Sequence, residues 1–121
     1  NLRPDQPDLD ERVAAIAAAG VRVASFAGAP SRDVIARLHD AAVAEGALDT
    51  KMKELIALAI GITVRCDGCI AFHVHRALDA GASRQEVMET IGVAIMMGGG
   101  PSVVYGSEAM EALDQLSATP A

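Results

Sequence analysis

The sequence predicts an all-α fold: a single-domain helical bundle of about six helices. Three observations predict it. Hydrophobic residues make up 51% of the 121-residue chain while aromatics make up only 2%, so the core has to be built from Ala, Val, Ile, Leu and Met. Small aliphatic side chains favour close helix–helix packing, and Ala, Leu and Met are strong helix formers. Helix starts and stops punctuate the chain at intervals of 10–20 residues, while strand-period alternation and hairpin turns are lacking.

The elements follow in order. Residues 1–8 (NLRPDQPD) carry two prolines and form an N-terminal arm ahead of a domain spanning 9–121. A first helix runs from about Leu9 to Ala19, stopped by Gly20. Ser31 caps a second helix, with Asp33 in its first turn, and Val34, Ile35, Leu38, Ala41 and Ala42 form its apolar stripe; Gly46 ends it. Asp49 or Thr50 caps a third helix, which carries Glu54 and reaches about Arg65. The fourth starts at or near Cys66 and continues to Ala80, with Gly81 as its stop. Ser83-Arg84-Gln85-Glu86 is a capping box that opens the fifth. Gly98-Gly99-Gly100-Pro101 breaks it, and Pro101 suits the first turn of a sixth helix ending near Leu116.

The third and fifth helices are apolar almost all the way round (IALAIGITV, IGVAIMM). A helix without a polar face is covered on all sides. A domain this small has too few helices to cover two such elements, so the pattern predicts a homo-oligomer. A Met-rich binding groove at Met96-Met97 is the rival explanation. The net charge of −6 and the absence of a basic patch argue against a nucleic-acid partner. The longest apolar runs, Leu55–Val64 and Val93–Gly100, fall short of a membrane span, and no signal peptide is visible. A dithiol in a chain with no other cysteine reads as cytoplasmic and redox-active.

Chemistry concentrates in Glu54, Cys66, Cys69 and His73, spaced Glu-x11-Cys-x2-Cys-x3-His. Two cysteines three apart on a helix project their sulfurs about 60° from one another, within the Cα separation that a disulfide tolerates. His73 lies one turn beyond Cys69 on the same stripe. Cys66 gains from the helix N-terminus and Cys69 from the imidazole, each of which favours a thiolate. Glu54 is either a solvated first-turn charge or a partly buried acid returned to the dithiol by an antiparallel helix, and spacing leaves both open. Three other readings of the cysteines compete: small buried hydrophobes, half of a structural zinc site, or a structural disulfide. No second CxxC exists, His39 and His75 are poorly placed as ligands, and a four-residue loop adds little stability. A redox dithiol with neither metal nor cofactor fits best. Arg76, seven residues after Cys69, could steer an anion or stabilise a thiolate, and is otherwise a solvated or salt-bridged arginine. Tyr105 reads as a packed amphipathic ring and His39 as a surface residue.

The block from Glu54 to His73, with the GAS-x2-E-x3-T segment and the GGGPS-x-VYG-x-EA ending, resembles the carboxymuconolactone decarboxylase superfamily over residues 30–117. The Glu-x11-Cys-x2-Cys-x3-His pattern is similar to its alkyl hydroperoxidase D branch. The resemblance implies a trimeric or hexameric helical assembly that reduces hydroperoxides and is restored by an external dithiol, a thioredoxin-like protein or a lipoyl protein. By that likeness Cys69 is the peroxide-attacking thiolate, Cys66 the resolving thiol, and Glu54 with His73 the proton relay. Gly68 stands where the best-known members carry a second His, which thins the relay to Cys66. The lactone decarboxylase branch, which generally lacks the cysteine pair, is the alternative.

Overall fold

The structure, a computed structural model, describes residues 32–117; the expected arm, the expected helix over 9–19 and the Ser31 cap lie outside the described residues. Two compact units divide after Ala44. The first contributes α1 (Arg32–Val43), and the second holds α2 (Thr50–Thr63), α3 (Asp67–Asp79), α4 (Arg84–Gly98) and α5 (Gly100–Ser117). Among the described residues every regular element is helical, and no helix is long and apolar enough to cross a membrane.

Local chemistry explains the boundaries. Asp49, not Thr50, caps α2, its carboxylate accepting the Met52 N–H at 2.7 Å. α1 stops at Val43, ahead of Gly46, and residues 44–48 bend. The capping box forms as expected: Ser83 Oγ accepts the Glu86 N–H at 3.0 Å, and Glu86 Oε1 accepts the Ser83 N–H at 3.1 Å. Gly99, at φ +71°, follows the end of α4, and Pro101 sits in the first turn of α5.

The C-termini of α2 and α3 share one motif. After α3, the Gly81 N–H donates to Leu78 O and the Ala82 N–H to Ala77 O, with Gly81 left-handed at φ +94°. After α2, the Arg65 N–H donates to Ile62 O and the Cys66 N–H to Gly61 O, with Arg65 left-handed at φ +60°. A Cβ in that region costs on the order of 1 kcal/mol, which Gly81 avoids and Arg65 does not. This turn ends α2 at Thr63, short of Arg65, and delivers Cys66 to the start of α3.

Within the second unit, α2 and α5 each pack against α3 and α4 and meet one another, whereas α3 and α4 share little contact. Leu58, Ile62, Ile70, Val74, Val87 and Leu113 are the large aliphatic side chains at the centre. Each contributes roughly 1.5–3 kcal/mol by leaving water. Tyr105 packs against this core as a half-buried ring. The two helices that are apolar all round turn only one face inward. Leu55, Leu58 and Ile62 of α2 are buried while Met52, Ile56 and Ile60 are exposed; in α4, Val87, Ile91 and Ala94 are buried while Val93, Met96 and Met97 are exposed.

Candidate functional site: a cysteine pair beside a buried Glu–His pair

Cys66 is the N-cap of α3 in extended conformation, and Cys69 closes the first turn of the same helix. The two are joined by a disulfide, with their Cα atoms 5.2 Å apart. The Cys69 N–H donates to Cys66 Sγ at 3.3 Å, so a sulfur occupies the place that a Ser or Asp oxygen usually takes at a helix start. Both cysteines are half-buried.

Glu54 is fully buried, at 0% exposure. That decides against the solvated first-turn charge and for the buried acid. It sits on the inward face of α2, one turn before Leu58. His73 Nδ1 donates to Glu54 Oε2 at 2.7 Å across the α2–α3 contact. With Nδ1 as donor, the neutral ring presents Nε2 as its basic nitrogen. Arg76, one turn further along α3, brings Nε to 4.0 Å from Glu54 Oε1. A buried carboxylate is costly unless paired, and here both oxygens face cationic or hydrogen-bonding partners from one helix. The Phe72 ring, about half exposed at 47%, lies edge-on to His73 with centroids 5.0 Å apart.

The four expected residues therefore form two bonded pairs on one scaffold. α3 carries three of them, with Cys69 and His73 one turn apart, and α2 carries Glu54. Gly61 makes the scaffold close: a Cβ built on it would stand 3.3 Å from Cys69 Cβ. Sequence reasoning missed Gly61, Phe72 and the left-handed Arg65, and it left Arg76 undecided. The one available signal was the Gly within an otherwise continuous apolar helix, which often marks close backbone approach. Among the remaining histidines, His75 is exposed, with Nε2 3.7 Å from Asp79 Oδ2. His39, expected on the surface, is largely buried, with 16% of its side chain exposed and Nδ1 3.4 Å from Asp40 Oδ1. Its polar type on an amphipathic helix had suggested solvent.

The profile of the carboxymuconolactone decarboxylase family matches residues 29–112. The chain belongs to this family. A carboxymuconolactone decarboxylase family protein from Legionella pneumophila shares 47% identity and a TM-score of 0.66, over 69% of this chain and 74% of that one. A second family member, from Thermotoga maritima and described as a candidate for involvement in antioxidative response, shares 32% identity and a TM-score of 0.67, over 74% of this chain and 93% of that one. An uncharacterised protein of Cupriavidus necator is 41% identical over 78 residues, which are 64% of this chain and 69% of the relative. The all-helical architecture of the described residues is that of the family.

Proposed function

We propose that this carboxymuconolactone decarboxylase family member is a thiol-dependent peroxidase or disulfide oxidoreductase working through Cys66 and Cys69. The observation that carries the reading is the 2.7 Å bond between His73 and the buried Glu54, one helical turn from Cys69. Reduction of a hydroperoxide needs a proton removed from a thiol and a proton delivered to the leaving oxygen. An imidazole held in one tautomer by a buried carboxylate suits both transfers. Cys69 attacks the distal peroxide oxygen, an alcohol or water leaves, and Cys69 becomes a sulfenic acid. Cys66 displaces water from it to form the disulfide, and an external dithiol, a thioredoxin-like protein or a lipoyl protein restores both thiols. The description of the Thermotoga maritima relative supports this class of activity. Gly68 thins the relay to Cys66, which favours a slower peroxidase or a different reductant.

Assembly belongs to the same proposal. Shallow apolar grooves of ≈ 300 Å³, between Met52, Ile56 and Val93, and of ≈ 240 Å³, between Ile60, Val64 and Met97, run along α2 and α4. We read this face as the contact between subunits of a trimer or a dimer of trimers in the cytoplasm. The domain would begin near residue 9, after the proline-bearing arm.

Peroxide consumption driven by a dithiol tests the chemistry. The expectation is turnover in the native chain, none in Cys69→Ser, and a single round in Cys66→Ser that leaves a trappable sulfenic acid. Lactone turnover retained by the double cysteine-to-serine variant would instead assign the decarboxylase reading. A stable monomer by light scattering at micromolar concentration would reject the assembly.

A further inference from the structure

We propose that the two sulfurs have fixed and opposite roles in reduction of the disulfide: the entering thiol attacks Cys69 Sγ, and Cys66 Sγ is the leaving thiolate. The inference deepens the thiol reading above and rests on it only for the purpose of the step.

The geometry around the two sulfurs is unequal. Cys66 Sγ already accepts the Cys69 N–H at 3.3 Å and caps a 13-residue helix, so it faces the positive end of the α3 dipole. A thiolate formed there keeps that hydrogen bond and gains from the dipole, which is the arrangement that lowers a cysteine pKa. Cys69 lies inside the first turn, and its Cβ stands against Gly61 of α2. Its own N–H points to the other sulfur, and among the described residues no backbone amide donates to Cys69 Sγ. Exchange expels the better stabilised thiolate faster, and that thiolate is Cys66.

Charges of both signs stand beside Cys66. Asp67 follows it in the helix, and Arg65 precedes it in the left-handed turn. Glu108 of α5 has its carboxyl pushed above the usual range by a hydrogen bond to Asp67, then by burial and by the charges of Asp67 and Glu111. On the other side, His73 lies one turn from Cys69 and serves the sulfur that does not leave first.

The step balances. A thiolate of a dithiol reductant bonds to Cys69 Sγ as the Sγ–Sγ bond breaks, and the electron pair of that bond goes to Cys66 Sγ. The reductant's second thiolate then attacks its own sulfur in the mixed disulfide and expels Cys69 Sγ. Two electrons pass to the protein, the reductant closes to a disulfide, and the two protons it gave up end on Cys66 and Cys69. In the oxidising direction the same N–H holds Cys66 ready as a thiolate to close on a sulfenic acid at Cys69.

Two measurements on the full chain test the assignment, and neither depends on peroxide turnover. The first treats the oxidised protein with glutathione, quenches with acid, blocks free thiols with maleimide and maps the adducts. Trypsin cutting after Arg65 and Arg76 leaves both cysteines in one peptide, and fragments between them separate the sites. Glutathione is expected on Cys69 and maleimide on Cys66, by about tenfold or more over the reverse. The second is a thiolate-absorbance titration, in which Cys66 within Cys69→Ser should ionise below the ordinary cysteine pKa of about 8.5 and at least about one unit below Cys69 within Cys66→Ser. Glutathione found equally on both sulfurs or mainly on Cys66, or a Cys66 that titrates with or above Cys69, overturns the proposal. Loss of peroxide turnover with both results intact would reject the peroxidase reading alone.

Discussion

Gly61 and Cys69 meet where α2 passes α3, so closely that a methyl group on Gly61 would sit 3.3 Å from Cys69 Cβ. The contact lets two helices approach at the level of the dithiol and, two turns back along α2, lets Glu54 meet His73. Replacement by Ala gains about 1 kcal/mol of helix propensity, but it needs a backbone-anchored Cβ to give way by a few tenths of an ångström. Gly61→Val has no such compensation. It should destabilise the fold by about 1–3 kcal/mol in denaturant titration, while Gly61→Ala stays near neutral. A Val variant as stable as the native chain would show that the approach is slack.

The paired helix ends give a second prediction with opposite signs. Arg65→Gly should stabilise by up to about 1 kcal/mol, because φ +60° is strained for Arg and relaxed for Gly. Gly81→Ala, at φ +94°, should destabilise by about 1–2 kcal/mol. Urea midpoints of the two variants check this, and a shift of both in the same direction contradicts it.

Glu54→Gln keeps the shape of the side chain and removes the charge that His73 donates to. Under the proposed chemistry, reaction of Cys69 with hydroperoxide should slow by about 10²–10⁴-fold, with the helical circular dichroism unchanged. His73→Ala should slow it comparably, and the double variant should be little worse than either single one, because the two residues act as a unit. Additive losses would mean that they act separately.

Two surface carboxylates contribute to stability with opposite pH dependence. Glu86 is held below the ordinary 4.5 by its hydrogen bond to Lys51, then by the Ser83 N–H. Its lowered value means that its stabilisation is present above the ordinary carboxylate range and is lost as pH falls through the folded value. Glu86→Gln should therefore lower the melting temperature at pH 7 and converge with the native chain in acid. Glu108 has the opposite sign: raised by Asp67, it favours the fold below the ordinary range and loses that as pH rises through its folded value. Glu108→Gln should melt higher than the native chain at pH 7 and differ little near pH 4. Parallel curves for either variant would reject the assignment.

Much of this protein was written locally. Helix starts and stops at Asp49, Ser83, Gly81 and Pro101 depend on side-chain and backbone groups within one turn of each other, so a linear reading finds them. For the same reason the Cys66–Cys69 spacing placed both sulfurs at one helix start, and His73 one turn beyond. What the sequence could not decide was the fate of Glu54. Its partner lies 19 residues away on another helix, and whether an acid in the first turns of α2 faces water or the core depends on how α2 is rotated. α2 is apolar on nearly every side, so its pattern names no inward face. That choice falls to packing against α3, α4 and α5, and it is this choice that buries Glu54, aligns it with His73 and Arg76, and sets Gly61 against Cys69.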